Sequence, residues 1–280
     1  MMSRTTANRI KLTICYTLVA LLCFVFFLPF FWMIRSALMD HAQLFRYPVQ
    51  IFPNPIIWSN IPYALRTQPF PLFFRNTIFL VIMNMAGVVI TASMAGYAFS
   101  RLQWRGKRVL FYALLSTMMI PGFVTLIPTF LIWMQLGAHN SFVPLIMPSW
   151  MGGSAFSIFL SRQFFLTIPM DLDEAALIDG ANQWKIFWAI LMPLLKPVLA
   201  VLAIFTFMGT WNDLLNPLIY LRDRRLFTLS LALASFRGPY AGRWDFLMAA
   251  SAVVTMPMVV VFFAFQRYFI EGVTLTGIKG

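Results

Sequence analysis

The chain has 280 residues, 60% of them hydrophobic and only 11% charged, with 30 phenylalanines. Soluble domains carry about a quarter charged residues, so this composition excludes one. The formal net charge of +12 would suit nucleic acid, but the basic residues stand in short segments flanking apolar runs, which excludes that reading and points to lipid headgroups and membrane topology.

A basic start (Arg4, Arg9, Lys11) leads into the first apolar stretch, Leu12–Ile34. At about 23 residues it exceeds the core of a signal peptide, and no small-residue cleavage site follows, so it is expected to stay as an anchor. Cys15 and Cys23 lie inside it, about 12 Å apart on a helix, too far for a disulfide. Five further stretches, Thr77–Phe99, Val109–Met134, Phe142–Phe165, Val198–Leu221 and Phe246–Phe269, are also long enough for a bilayer, which takes about 20 apolar residues. Pro144, Pro148 and Gly152-Gly153 interrupt the fourth, which is expected to be irregular and packed inside protein. His41 and His139 are isolated and read as surface residues, and no metal-ligand cluster occurs.

Polar residues inside spans are costly and need a reason. Asp213 is the clearest, beside Asn212 in the fifth span; Asn84 and Asn216 are the other in-span amides, and Asn76 sits at the mouth of the second. Asn76, Asn84, Asn212 and Asp213 are the candidates for lining a solute pathway. The competing reading is a polar clamp between helices, with Asp213 neutralised by an arginine.

Between the fourth and fifth spans lies a polar, helix-compatible segment, 168–197. Asp171 with Glu174 three residues on is an Asp variant of the capping box that starts a helix. Leu172, Ala175 and Ala176 are expected on one face, the alanines allowing close approach of a partner. Gly180 suits the end of a helix or a sharp bend. Trp184, Phe187, Trp188 and Leu191 recur at helical spacing as a second amphipathic set, and Pro193 and Pro197 are expected to break or kink the entry to the next span. By physics alone this is a docking element or a helix lying on headgroups.

The pattern Glu174-Ala175-Ala176, Gly180, Ile190, Pro193 resembles the EAA loop of ABC-importer permeases, with Met192 where leucine is usual. Ala95-Gly96-Tyr97-Ala98-Phe99-Ser100-Arg101-Leu102, Ile120-Pro121-Gly122, Arg162-Gln163-Phe164-Phe165, Trp211-Asn212-Asp213 and Gln266-Arg267-Tyr268-Phe269 extend the likeness to the MalG-type permease family of carbohydrate ABC importers. The resemblance implies an all-α polytopic membrane protein of six helices with a type I (MetI-like) core. On it the chain divides into an anchor helix and extracytoplasmic loop at 1–71, a permease core at 72–272 with its coupling loop at 168–197, and a tail at 273–280. Coupling to an ATPase would fall to Asp173, Glu174, Ala175, Ala176, Asp179 and Gly180.

The resemblance further implies a second, MalF-like permease chain, two ATPase subunits holding ATP and magnesium, and an extracellular or periplasmic solute-binding protein. The solute would be a sugar or oligosaccharide, or alternatively a polyol phosphate such as glycerol-3-phosphate. No nucleic acid and no cofactor of the chain's own are expected. The sequence agrees on this division of labour. It has no G-x-x-x-x-G-K-[ST] loop for phosphate, and no Ser-His-Asp or Cys-His arrangement suited to catalysis. An ion-coupled secondary transporter would need relays of in-span carboxylates or histidines and inverted repeats, whereas only Asp213 qualifies.

With both termini cytoplasmic in a bacterial inner membrane, the cytoplasmic side collects twelve of the 21 basic residues, most clearly at Arg101, Arg105, Lys107 and Arg108. The Arg222–Arg243 loop then lies outside, as an exception to the positive-inside rule. This orientation places the Glu174 segment where ATP is.

Overall fold

The computed structural model describes residues 4–237 and 242–277, with side chains described for 8–236 and 242–266. The side chains of Arg267, Tyr268 and Phe269 and the last residues of the 273–280 tail therefore lie outside the described set. Among the described residues the structure is helical, without strands. The chain forms two compact units, Met1–Pro69 with Ser235–Met256, and Phe70–Ala234 with Pro257–Gly280. The sequence boundary at 71–72 falls beside Pro69–Phe70, whereas 235–256, assigned on sequence to the core, groups with the first unit.

In the first unit, α1 (Arg4–Ala37) is followed by the short α2 (His41–Leu44) and α3 (Asn60–Arg66). The last carbonyls of a helix lack intrahelical donors. Here Asn60 Nδ2 supplies them, donating to the carbonyl oxygens of Ala37 and Met39 at 3.0 and 2.7 Å. Arg35, in the last turn of α1, donates to the carbonyl of Ile51 at 2.9 Å. Cys15 and Cys23 are free, and His41 is exposed.

The second unit is built on α4 (Phe70–Ser100). The unit also holds α5 (Lys107–Ser116), α6 (Gly122–Gln135), α7 (Val143–Trp150), α8 (Ala155–Thr167), α9 (Asp171–Ile178), α10 (Gln183–Lys185), α11 (Met192–Leu194), α12 (Lys196–Asn212), α13 (Leu215–Tyr220) and α14 (Leu229–Ala234); α15 (Trp244–Gly277) begins in the first unit. α4 packs against α7, α8 and α12. It approaches α8 closely at Gly96, where an added Cβ would stand 2.6 Å from Ser161 Cβ. No side chain fits between those backbones.

Among the described residues four helical spans are long and apolar enough to cross a membrane: Asn8–Ala37, Phe70–Ser100, Val143–Thr167 and Trp244–Gln266. The count reaches six if each of two bent pairs is one span. The expected continuous third span is instead Lys107–Met119 and Gly122–Gln135, bent by 105°. Pro121 has no N–H and drives Ile120 into extended backbone, which ends the first helix. The fourth is interrupted as expected, with Gly152 and Gly153 both at positive φ between α7 and α8.

The fifth span also departs from the sequence reading. Its helix stops at Asn212, and Asp213 is extended before α13. Pro217 cannot donate to the Asp213 carbonyl four residues back, so a helix through this point would lose that bond. Entry to α12 is bent by 78° relative to the preceding helix, with Pro193 and Pro197 in the first turns of α11 and α12.

Candidate functional site

Two places in the second unit gather the polar residues singled out by sequence. The first is the segment 168–197. Glu174 lies in the first turn of α9 with Asp171 and Asp173, where carboxylates are favoured by the helix dipole. The expected capping box does not form. Met170 is the N-cap, without a side-chain cap bond, and Asp171 is already helical.

The other end of α9 matches expectation in detail. Gly180 has φ +76°, its N–H donates to the Leu177 carbonyl, and the Ala181 N–H donates to the Ala176 carbonyl at 2.9 Å. This is a Schellman termination, which satisfies the last carbonyls and needs a residue at ease with positive φ. Nothing lies within 4 Å of an added Cβ, so the demand for glycine is conformational rather than one of space.

α9 is seated by its inner face. Asp173 and Ala176 are buried, while Leu172, Ala175, Leu177, Ile178 and Asp179 are exposed, Ile178 at 87%. Ala176 therefore packs into the protein and is not available to a partner, contrary to the expected shared face with Leu172 and Ala175. The outward surface combines Leu172, Ala175 and Ile178 with the carboxylate of Glu174. In the second half, Trp184 and Trp188 face outward while Phe187 and Leu191 are buried. A π-helical turn at Ile186–Leu191 changes the phase of the helix and divides the set expected on a single face.

The seat of α9 joins the buried Asp173, expected on sequence to meet an ATPase, to residues that the sequence offered only for topology and resemblance. The buried Arg101, at the end of α4, lies 3.2 Å from Asp173 Oδ2. It donates to the carbonyls of Phe165 and Ile168 at 2.9 and 2.7 Å and touches Met170 Sδ. One guanidinium thus joins the ends of α4 and α8 to α9. Burial pushes the Asp173 carboxyl above the usual carboxylate range, and Arg101 offsets this only in part. Beneath lies a cluster in which the Tyr97 ring stands 5.7 Å from Phe165 and 5.2 Å from Phe187, and the Tyr97 hydroxyl bonds Gln183 Oε1. The signal was available: Tyr97 and Arg101 stand four apart, one turn, in the Ala95–Leu102 motif.

The second place is a cavity of about 590 Å3 lined by α4, α7, α8, α12 and α13. Asn84 and Asp213 line it; Asn76 and Asn212 do not. Asn84 Nδ2 lies 3.4 Å from Thr210 Oγ1, and its buried Oδ1 has no hydrogen-bond partner in the structure. Asp213 accepts from the Asn216 N–H at 3.2 Å and from its Nδ2 at 2.9 Å. Among the described residues it forms no ion pair, so the neutralising arginine is absent.

Asn212 Nδ2 turns back to the Met208 carbonyl at 2.8 Å. Asn76 is the clamp of the set. Buried at the opposite end of α4 from Arg101, it donates to the carbonyls of Arg225 and Phe227 at 2.8 and 3.0 Å. Thr77 Oγ1 beside it accepts from the Leu229 N–H at 3.0 Å. The Arg222–Ala234 part of the basic loop is thereby fixed to the far end of the helix that carries Arg101.

A family model described as "Binding-protein-dependent transport system inner membrane component" matches residues 87–274. Among curated relatives, the arabinooligosaccharides transport system permease protein AraQ of Bacillus subtilis (strain 168) is 30% identical, over 97% of this chain and 96% of its own. The sn-glycerol-3-phosphate transport system permease protein UgpE of Yersinia pestis bv. Antiqua (strain Antiqua) is also 30% identical, over 92% and 94%. Of solved structures, one matches with a TM-score of 0.82 at 24% identity, over 96% of this chain and 99% of the other. It is a crystal structure of a bacterial ABC transporter involved in the import of the acidic polysaccharide alginate.

Proposed function

This chain belongs to the family of binding-protein-dependent transport system inner membrane components, and from that premise we propose that it forms half of the pathway by which a sugar or oligosaccharide is imported. It is a multi-pass membrane permease subunit of an ATP-driven importer, not an enzyme, and hydrolysis belongs to a separate ATPase. Its partners are a further permease, ATPase and a solute-binding protein. In the finer reading the second permease is a different, MalF-like chain, and two ATPase subunits hold ATP and magnesium. This chain holds no cofactor.

The observation that carries the coupling role is the seat of α9. Its outer face offers exposed Leu172, Ala175 and Ile178 with Glu174, while its inner face is locked to α4 through Arg101 and Asp173. A force on α9 is therefore delivered to α4. About 25 Å along that helix, the side chain of Asn84 meets the cavity. Rearrangement of the ATPase would move the cavity wall through a rigid connection of packed and ion-paired side chains, the kind of network along which coupling is carried.

Orientation follows the same reading. Arg101 and α9 are at one end of α4, and the loop held by Asn76 is at the other. This supports a cytoplasmic α9 with residues 222–234 on the opposite side; both termini cytoplasmic and the whole of 222–243 outside remain part of the proposal. Oligosaccharide import is the main reading, on the likeness to AraQ; the likeness to UgpE keeps polyol phosphate import as a second.

Uptake by the assembled importer in sealed vesicles tests the class. Transport is expected to require ATP on the side of the ATPase and to persist after collapse of the proton gradient. Dependence on the gradient without ATP would sink the reading in favour of ion coupling.

A further inference from the structure

The wall of the 590 Å3 cavity carries one charged side chain, Asp213, and no lysine or arginine. Among the described residues the hydrogen bonds to its carboxylate come from Asn216, and amide donors do not neutralise a carboxylate. The other polar groups of the wall are amides and hydroxyls, among them Asn84, Ser149, Ser154, Thr206 and Thr210. These both donate and accept, which matches the hydroxyls of a neutral solute. An anion would instead face a carboxylate with no cation in the same wall. Two like charges about 7 Å apart at an effective dielectric constant near 40 disfavour occupancy on the order of tenfold.

Resting on the reading of this cavity as part of the pathway, we propose that Asp213 is a specificity-determining residue that biases passage against anions, so that the solute is a neutral, hydroxyl-rich saccharide rather than a polyol phosphate or uronate. The residue stands where the helix of α12 gives way to extended backbone. Its carboxylate is held at that break by the N–H and amide of Asn216 one turn on, so the charge has a fixed place in the wall.

Gly209 lines the same cavity one turn before Asp213, and space is open around an added Cβ there. In a chain lacking Cys15 and Cys23, Gly209→Cys, assembled with its partners in nanodiscs, is treated with a cationic and an anionic methanethiosulfonate reagent. The ratio of the two rates is divided by the same ratio for a small free thiol. We expect a normalised preference for the cation of roughly 50-fold, because the carboxylate attracts the cation about as much as it repels the anion, falling toward unity when Asp213→Asn is added; asparagine keeps an acceptor for the Asn216 N–H while removing the charge. Thr206→Cys, on the same wall, gives an independent site if Gly209→Cys does not assemble. A normalised ratio near unity, or one that Asp213→Asn leaves unmoved, overturns the inference. Wild-type uptake that requires ATP upholds the transport reading in either case, and uptake independent of ATP removes that reading whatever the ratio.

Discussion

The α9 seat and the cavity hold their polar groups in opposite ways. At the seat, Arg101 and Asp173 are buried and paired, and the guanidinium reaches further acceptors on α8 and the loop after it. In the cavity, Asn84 Oδ1 has no partner and Asp213 has only a neighbouring amide. A buried ion pair set among fixed carbonyl acceptors holds one arrangement and transmits displacement, although Arg101 Nε and Asp173 Oδ2 make no hydrogen bond. An unsaturated wall leaves donors and acceptors open to a solute, as the proposed pathway requires. The same helix, α4, contributes to both, so rigidity and exchange are separated along its length rather than between domains.

Arg101→Ala should blur this contrast most. Removing one partner of a buried ion pair leaves an uncompensated charge and costs about 3–5 kcal/mol locally. Amide exchange across 171–181 should accelerate about 100-fold or more in the assembled complex, while exchange in 80–90 stays near wild type. Equal acceleration in both regions would show that the seat is not a separate unit.

The seat should also respond to pH with a definite sign. Because the folded Asp173 carboxyl is raised by burial, the folded segment binds its proton more tightly than the unfolded one. Its contribution is greatest below the ordinary carboxylate range and is lost as pH rises through the raised folded value. Protection at 171–181, taken relative to the intrinsic base-catalysed exchange rate, should therefore fall across that window, and its pH dependence should flatten in Asp173→Asn.

A smaller structural change with a large functional readout comes from Gly180→Val. A non-glycine residue in the left-handed region costs about 1–2 kcal/mol, and β-branching adds to the strain. The membrane spans owe their stability to packing elsewhere, so abundance should stay near normal while ATPase co-purification and binding-protein-stimulated hydrolysis fall. Normal assembly and stimulation in both Gly180→Val and Glu174→Ala would remove α9 from coupling.

The smallest effect is expected at the cavity. Asn84→Ala loses one long bond to Thr210 and a group already lacking a second partner, so stability should shift by less than about 1 kcal/mol. Solute uptake should fall several-fold with ATPase assembly intact. Unchanged uptake would assign Asn84 to packing.

The apolar stretches, the interruption of the fourth span, the helix carrying Glu174 and the terminating role of Gly180 follow from the sequence alone, because length, hydropathy and φ preference are local properties. The breaks at Pro121 and Asp213 went unread although the prolines behind them are local signals, and their angles have no local signal, because neighbouring helices set the direction in which a broken span resumes. Tertiary structure alone separated Asn76 from Asn84. Both are amides on one apolar helix, and Asn76 became a clamp because carbonyls 149 and 151 residues away come to it. It likewise turned Arg101 from a topology signal into the anchor of α9. Burial and long-range pairing decide whether a polar side chain is satisfied by the fold or left open, and neither has a local signature in the chain.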